Sequence, residues 1–210
     1  MCALGEAGAY LAERNCTVTA FDLTPEMIAE GEKRFSHIEN LSLRTGDVRD
    51  FHFDIEPCDF AFCMDFGHLQ TVDDVRRALK AIHAHLRKGG CLMIETSLFM
   101  PGGESSASEP RTFRPFSQIY PGIEVWKEGF TRTNADTGRF HIIQTFFAKH
   151  ADGHVDSFEH AFCLQQYTRE DWLQAFEDSG YQVINTYADR DSKSWQSGSN
   201  AFCIFEVIAV

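Results

Sequence analysis

In Thr17-Val-Thr-Ala-Phe-Asp22-Leu-Thr-Pro-Glu-Met27 a β-rich run ends in an acid and a helix start follows at once, the pattern of a β–α unit. β-branched and aromatic side chains suit a strand, so the strand is predicted to end at Asp22. Thr24 is placed to cap the next helix through its hydroxyl, and Pro25 fits the first helical turn, where its missing N–H costs nothing. An acid at such a strand end is placed to accept hydrogen bonds from both hydroxyls of a ribose.

Working outward, Gly5-Glu-Ala-Gly8-Ala-Tyr-Leu11-Ala12-Glu-Arg14 predicts a glycine turn opening a short amphipathic helix. In a nucleotide-binding βαβ unit such a turn follows a strand, with the acid about 20 residues beyond the first glycine. That distance, counted back from Asp22, reaches Met1. Downstream, helix and strand patterns alternate: a helix over 24–36, strands at Leu41–Thr45 and Asp59–Met64, a helix over 72–87 and a strand from Cys91 to Thr96. The alternation points to an α/β layer with a mainly parallel sheet. Val72, Val75, Leu79, Ile82 and Leu86 form one helical stripe, with Thr71 as its cap and Gly89-Gly90 as its stop.

The composition changes after Thr96. Pro101-Gly-Gly-Glu-Ser-Ser-Ala-Ser-Glu-Pro110 has the make-up of a loop. Three β-rich runs at about 122–132, 139–149 and 154–165 follow, joined by Asn134-Ala-Asp-Thr-Gly138 and Ala151-Asp152-Gly153, which predicts an antiparallel meander. A helix opened by Thr168 and stopped at Gly180 precedes two last strands, Tyr181–Tyr187 and Ala201–Ala209.

The chain of 210 residues carries 31 acids against 19 Lys and Arg, a net charge of −12. Such a surface opposes extended phosphate-backbone contact, so nucleic acid is excluded as a partner. The seven cysteines contain no C-x-x-C pair and are expected to be buried, reduced thiols. No run approaches the ~18 apolar residues of a membrane helix, and no basic flank with an apolar run marks the start. A cytoplasmic protein is the expectation, with no membrane partner.

The series resembles the class I S-adenosylmethionine-dependent methyltransferases, of the bacterial small-molecule type. The resemblance rests on Leu11-Ala12-Glu13-Arg14, Val18 and Phe21-Asp22-Leu23-Thr24-Pro25-Glu26-Met27-Ile28, then on Gly46-Asp47-Val48, Cys58–Met64 and Leu86–Ile94 in order. Gly5 would be the last glycine of the family's G-x-G-x-G turn. Cys2-Ala3-Leu4 stands where two further glycines are usual, and the strand before them is missing, so the start is expected to lie inside the family's first motif. The resemblance implies a Rossmann-like three-layer sandwich: a mainly parallel sheet, an antiparallel C-terminal strand and an inserted antiparallel β-meander. One domain over 1–210 is expected, with the loop and β insertion at about 98–166.

It also implies the cofactor, S-adenosyl-L-methionine. Gly5, Asp22, Leu23, Met27, Gly46, Asp47, Val48, Cys63 and Met64 are its candidate binding residues. Asp22 would take the ribose, Leu23 and Met27 would pack on adenine or ribose, and Asp47 would read the adenine amino group beside a backbone contact from Val48. A helix-start acid, a core methionine and a turn-stabilising aspartate are the plainer readings of Asp22, Met27 and Asp47. Cys63 and Met64 end the strand where ligands of open α/β sheets collect.

His68 follows that strand end and is the candidate catalytic base, since methyl transfer needs the nucleophile's lone pair free. Phe66, Phe99, Phe113 and Phe116 are candidate substrate residues. Arg111 and Arg114 bracket the aromatic patch and are the candidate clamp for an acceptor's carboxylate or phosphate. His83 and His85, two apart on a helix, cannot share a metal, and the spacing of His150, His154 and His160 supports none either; no metal is expected. The function expected is N- or O-methylation of a small-molecule acceptor. The alternative is a cofactor-free or degenerate module of the same fold, pairing with another chain, including a homodimer, through an open sheet edge.

Overall fold

The protein is described from a computed structural model, in which residues 2–64, 66–101, 106–107, 111–113, 122–134, 136–191, 193–196 and 201–210 are described. Two compact units divide it: 1–66 with 71–96 and 170–210, and 67–70 with 97–169.

In the first unit, α1 (Glu6–Ala12) leads into β1 (Val18–Asp22), α2 (Pro25–Arg34) and β2 (Leu41–Thr45). β1 and β2 pair in parallel, from Val18 opposite Leu41 to Asp22 opposite Thr45. Then come β3 (Cys58–Met64), α3 (Val72–His83) and β4 (Leu86–Ser97), and after the second unit α4 (Arg169–Glu177), β10 (Tyr181–Tyr187) and β11 (Phe202–Ala209). These form a second ladder ordered β10-β11-β4-β3, in which β3 and β4 run parallel while β10 and β11 run antiparallel. The predicted antiparallel C-terminal strand is therefore present. Among the described residues the strands of this unit form two ladders rather than one, and the Cys2 amide donates to the Phe21 carbonyl of β1 at 3.0 Å.

The elements follow their local chemistry, with two corrections. Thr71 caps α3 as predicted, accepting the Asp74 amide at 3.1 Å. Thr24 does not cap α2 through its hydroxyl; its own amide instead donates to Asp22 Oδ1 at 3.1 Å. The helix predicted to 87 ends at His83, because the chain turns into β4 at Leu86, opposite Cys58. The register then jumps to Phe60 opposite Cys91, so Arg87–Gly90 bulges from the strand instead of stopping a helix. Gly89 takes φ 75° there, a left-handed conformation that suits glycine.

The core of this unit gathers Val75, Leu79, Leu92, Ile94, Trp172, Phe176, Phe205 and Val207, all at most 2% exposed. Trp172 lies 5.6 Å from Phe176 and 5.9 Å from Phe205, ring to ring. Of the cysteines only Cys63 and Cys203 are buried, Cys16 is exposed and the rest are half-buried; all are free thiols, so the expectation of general burial is corrected.

The second unit is the predicted meander. β7 (Glu124–Asn134), β8 (Arg139–Lys149) and β9 (Val155–Gln165) pair antiparallel without a register slip, and the short β5 (Ser106–Ala107) and β6 (Arg111–Phe113) both pair with β7. Period-2 alternation stacks Trp126 on Phe147 and Phe146 on Phe158, each pair at 4.9 Å between centroids.

Candidate cofactor site

Asp22 closes β1 with only 9% of its surface exposed. Its carboxylate accepts the Ala3 amide at 2.9 Å and the Thr24 amide at 3.1 Å. Burial works against the ionised form, and the hydrogen bonds that the group accepts outweigh it, so the pKa lies below the ordinary range. The two amides come from the turn before α1 and the loop before α2, so the carboxylate ties both loops together and its plane is fixed.

The turn itself is built for close approach. Gly5 takes φ 92° and opens α1, and Ala3 also takes a left-handed φ of 51°. A left-handed non-glycine costs roughly 1–2 kcal/mol, so position 3 holds the conformation that a glycine would take without strain. Gly31 of α2 leaves the space into which the Leu4 carbonyl fits, a contact that a Cβ would block. Sequence reading passed over Gly31 because a mid-helix glycine has no local signature; only the packing of α2 under the turn reveals it.

Leu23 and Met27 are 62% and 43% exposed, large apolar groups left bare beside an ionised acid. Gly46 donates its amide to the Asp22 carbonyl at 2.9 Å, joining the end of β2 to the end of β1. Asp47 is engaged with its own turn: its carboxylate accepts the Arg49 amide at 2.9 Å and pairs with the guanidinium at 2.6 Å. That guanidinium pulls the Asp47 pKa down to about 2. Val48 is buried behind it. On the second ladder Cys63 is buried and Met64 is 47% exposed, opposite Glu95. Glu95 was missed in the sequence; Arg190 grips it with two bonds of 2.8 and 2.6 Å, and only the fold brings the two together.

Residues 1–90 match the family model of a methyltransferase domain. All but a trace of the chain superposes on an S-adenosylmethionine-bound amino pentose methyltransferase from Micromonospora echinaspora (22% identity, TM-score 0.71, 100% of this chain and 80% of that one) and on an S-adenosylmethionine-dependent methyltransferase from Clostridium acetobutylicum (15%, TM-score 0.76, 99% and 81%). The chain has the class I methyltransferase fold. A curated relative, the dTDP-4-amino-2,3,4,6-tetradeoxy-D-glucose N,N-dimethyltransferase of Saccharopolyspora spinosa, is 27% identical over 152 residues, 70% of this chain and 56% of that protein. The chain thus spans about half the length of that relative.

Within this methyltransferase fold the remaining candidates separate. Gly5, Asp22, Leu23, Met27, Gly46, Asp47 and Val48 gather around the carboxyl ends of β1 and β2. Phe66, expected to face substrate, is instead wholly buried 5.7 Å from Trp172 in the core of the first unit, because it is the first large side chain after β3 and the core has a place for it. His68 belongs to the second unit, its ring stacked 5.7 Å from Phe162 on β9. Phe99 is half-buried there, against Gly138. Arg111 and Phe113 lie on β6, whose backbone alone is described, and Arg114 and Phe116 lie outside the described residues. His85 is structural: it accepts the Phe53 amide at 3.2 Å through Nε2, which leaves Nδ1–H to donate to the Ala81 carbonyl at 2.8 Å. Among the described residues no helix is long and apolar enough to cross a membrane.

Proposed function

We propose that this chain is an S-adenosylmethionine-dependent methyltransferase acting on an amine of a small, sugar-like acceptor in the cytoplasm. The observation that carries the reading is Asp22, a buried carboxylate at a strand end that accepts two loop amides, with bare apolar surface beside it. A carboxylate offers about four acceptor positions, so an anchor already oriented by backbone amides suits a ribose diol. The amine acceptor is favoured over a hydroxyl because the curated relative carries an N,N-dimethyltransferase name and the superposed Micromonospora protein an amino pentose one.

When bound, the cofactor supplies a methyl carbon made electrophilic by its sulfonium. The chain's own residues do the rest. Asp22 accepts the ribose hydroxyls, Leu23 and Met27 cover the apolar faces, and the Gly46–Val48 backbone borders the base while Asp47 stays with Arg49. His68 is the base that takes the proton from the acceptor amine, leaving its lone pair free to attack.

Transfer of labelled methyl from S-adenosylmethionine to a nucleotide-linked amino sugar tests the proposal: labelled N-methyl sugar supports it, and label found on no amine overturns it. In that assay His68→Ala is expected to cut turnover by about a hundredfold, the scale of a lost general base, while cofactor affinity stays as it was. Equal turnover by the variant would remove His68 from the chemistry.

A further inference from the structure

The turn after β2 carries an ion pair that bears on the base of the cofactor. β1 and β2 run parallel with Asp22 opposite Thr45, and the Gly46 amide donates to the Asp22 carbonyl at 2.9 Å, so the end of β2 stands beside the ribose anchor. Asp47 is the first acid beyond that junction. Its carboxylate is therefore the group placed to accept the 6-amino group of an adenine.

That carboxylate is already taken. Oδ1 accepts the Arg49 amide at 2.9 Å and Nε at 3.0 Å, and Oδ2 accepts Nε at 3.1 Å and Nη2 at 2.6 Å. A carboxylate offers about four acceptor positions, so four contacts from a single residue occupy it. The guanidinium is fixed from its far side as well. Its Nη1 lies 3.6 Å from Asp74 Oδ1, and Asp74 is itself set at the start of α3, where it accepts the Thr71 hydroxyl at 2.9 Å. The three side chains are 36%, 32% and 20% exposed for Arg49, Asp47 and Asp74, so water only partly screens them. With its pKa drawn down to about 2, Asp47 stays ionised and paired at any ordinary pH.

We propose that Arg49 sets the specificity of the site for the base: by holding Asp47 it withdraws the carboxylate from the purine 6-position, and the base is selected by its shape and not by its amino group. The inference rests on Asp22 as the ribose anchor. Reading the amino group through Asp47 would pull the guanidinium away from two carboxylates. A bidentate pair of charges would be exchanged for one hydrogen bond from a neutral amine, which is the weaker bond. Leu23 and Met27, the apolar groups left bare beside Asp22, favour the faces of a purine and gain nothing from a polar group at its edge. The site therefore takes purine nucleosides altered at position 6 as well as adenosine.

The test is calorimetric titration of the full 210-residue chain with S-adenosylhomocysteine and with its 6-deamino analogue, which lacks the amino group and keeps every ring nitrogen. The parent is expected to bind the two within about threefold of each other. Arg49→Met keeps the length of the stem and removes the charge, which frees Asp47. That variant should prefer the amino-bearing ligand by at least about tenfold, the scale of a hydrogen bond to a charged acceptor. Adding Asp47→Ala to it removes the acceptor and should return the ratio to the parent's. Both ligands are compared on one protein, so a variant that merely loosens the turn weakens both and leaves the ratio alone. A parent that prefers the amino-bearing ligand beyond about threefold overturns the proposal, as does a ratio in Arg49→Met equal to the parent's. A folded parent that binds neither ligand overturns the cofactor site itself, and the specificity with it.

Discussion

Asp22→Ala is expected to weaken S-adenosylhomocysteine binding by about 1–3 kcal/mol, roughly 5- to 150-fold in Kd. Two losses combine. The variant removes an ionised acceptor from a buried position, where hydrogen bonds to charge are worth most. It also strands the Ala3 and Thr24 amides, so the turn at Gly5 and the start of α2 lose the group that holds them together. Asp22→Asn separates the two effects, because the amide oxygen can still accept one backbone bond while the charge is gone. Its affinity should fall between parent and Asp22→Ala. Calorimetry on variants that keep the parent's circular dichroism reads the result, and a folded Asp22→Ala with parental affinity would mean that the acid serves the loops alone.

The second large effect is on stability. Phe66→Ala should destabilise the fold by about 3–5 kcal/mol, since a fully buried ring against Trp172 leaves a cavity that a packed core only partly closes. For a chain of this size each kcal/mol moves the midpoint by about 2–4 °C, so a fall of roughly 6–20 °C is expected in a thermal melt. Phe66→Leu keeps most of the volume and should recover most of the loss. A melt unmoved by Phe66→Ala would place the ring outside the core and return it to the substrate face expected from sequence.

These two residues show what the sequence made legible. Asp22 announces itself because strand propensity, an acid and Thr24-Pro25 coincide within a few residues, and each is a local signal. The meander was equally legible, since period-2 runs and the Asn134–Gly138 and Ala151–Gly153 turns are local as well. Phe66 misled because burial is decided by Trp172, more than a hundred positions away. The Glu95–Arg190 pair and the service of Gly31 to the Leu4 carbonyl were silent for the same reason. Leu86 fits the stripe of α3, yet pairing with Cys58 draws it into β4, a tertiary demand that overrides helical period.

Titration of S-adenosylhomocysteine into this chain by calorimetry tests the cofactor site most simply. Saturable one-to-one binding, weakened in Asp22→Ala, is the predicted result. An absence of saturable binding by the folded chain would contradict it and favour a cofactor-free module of the same fold.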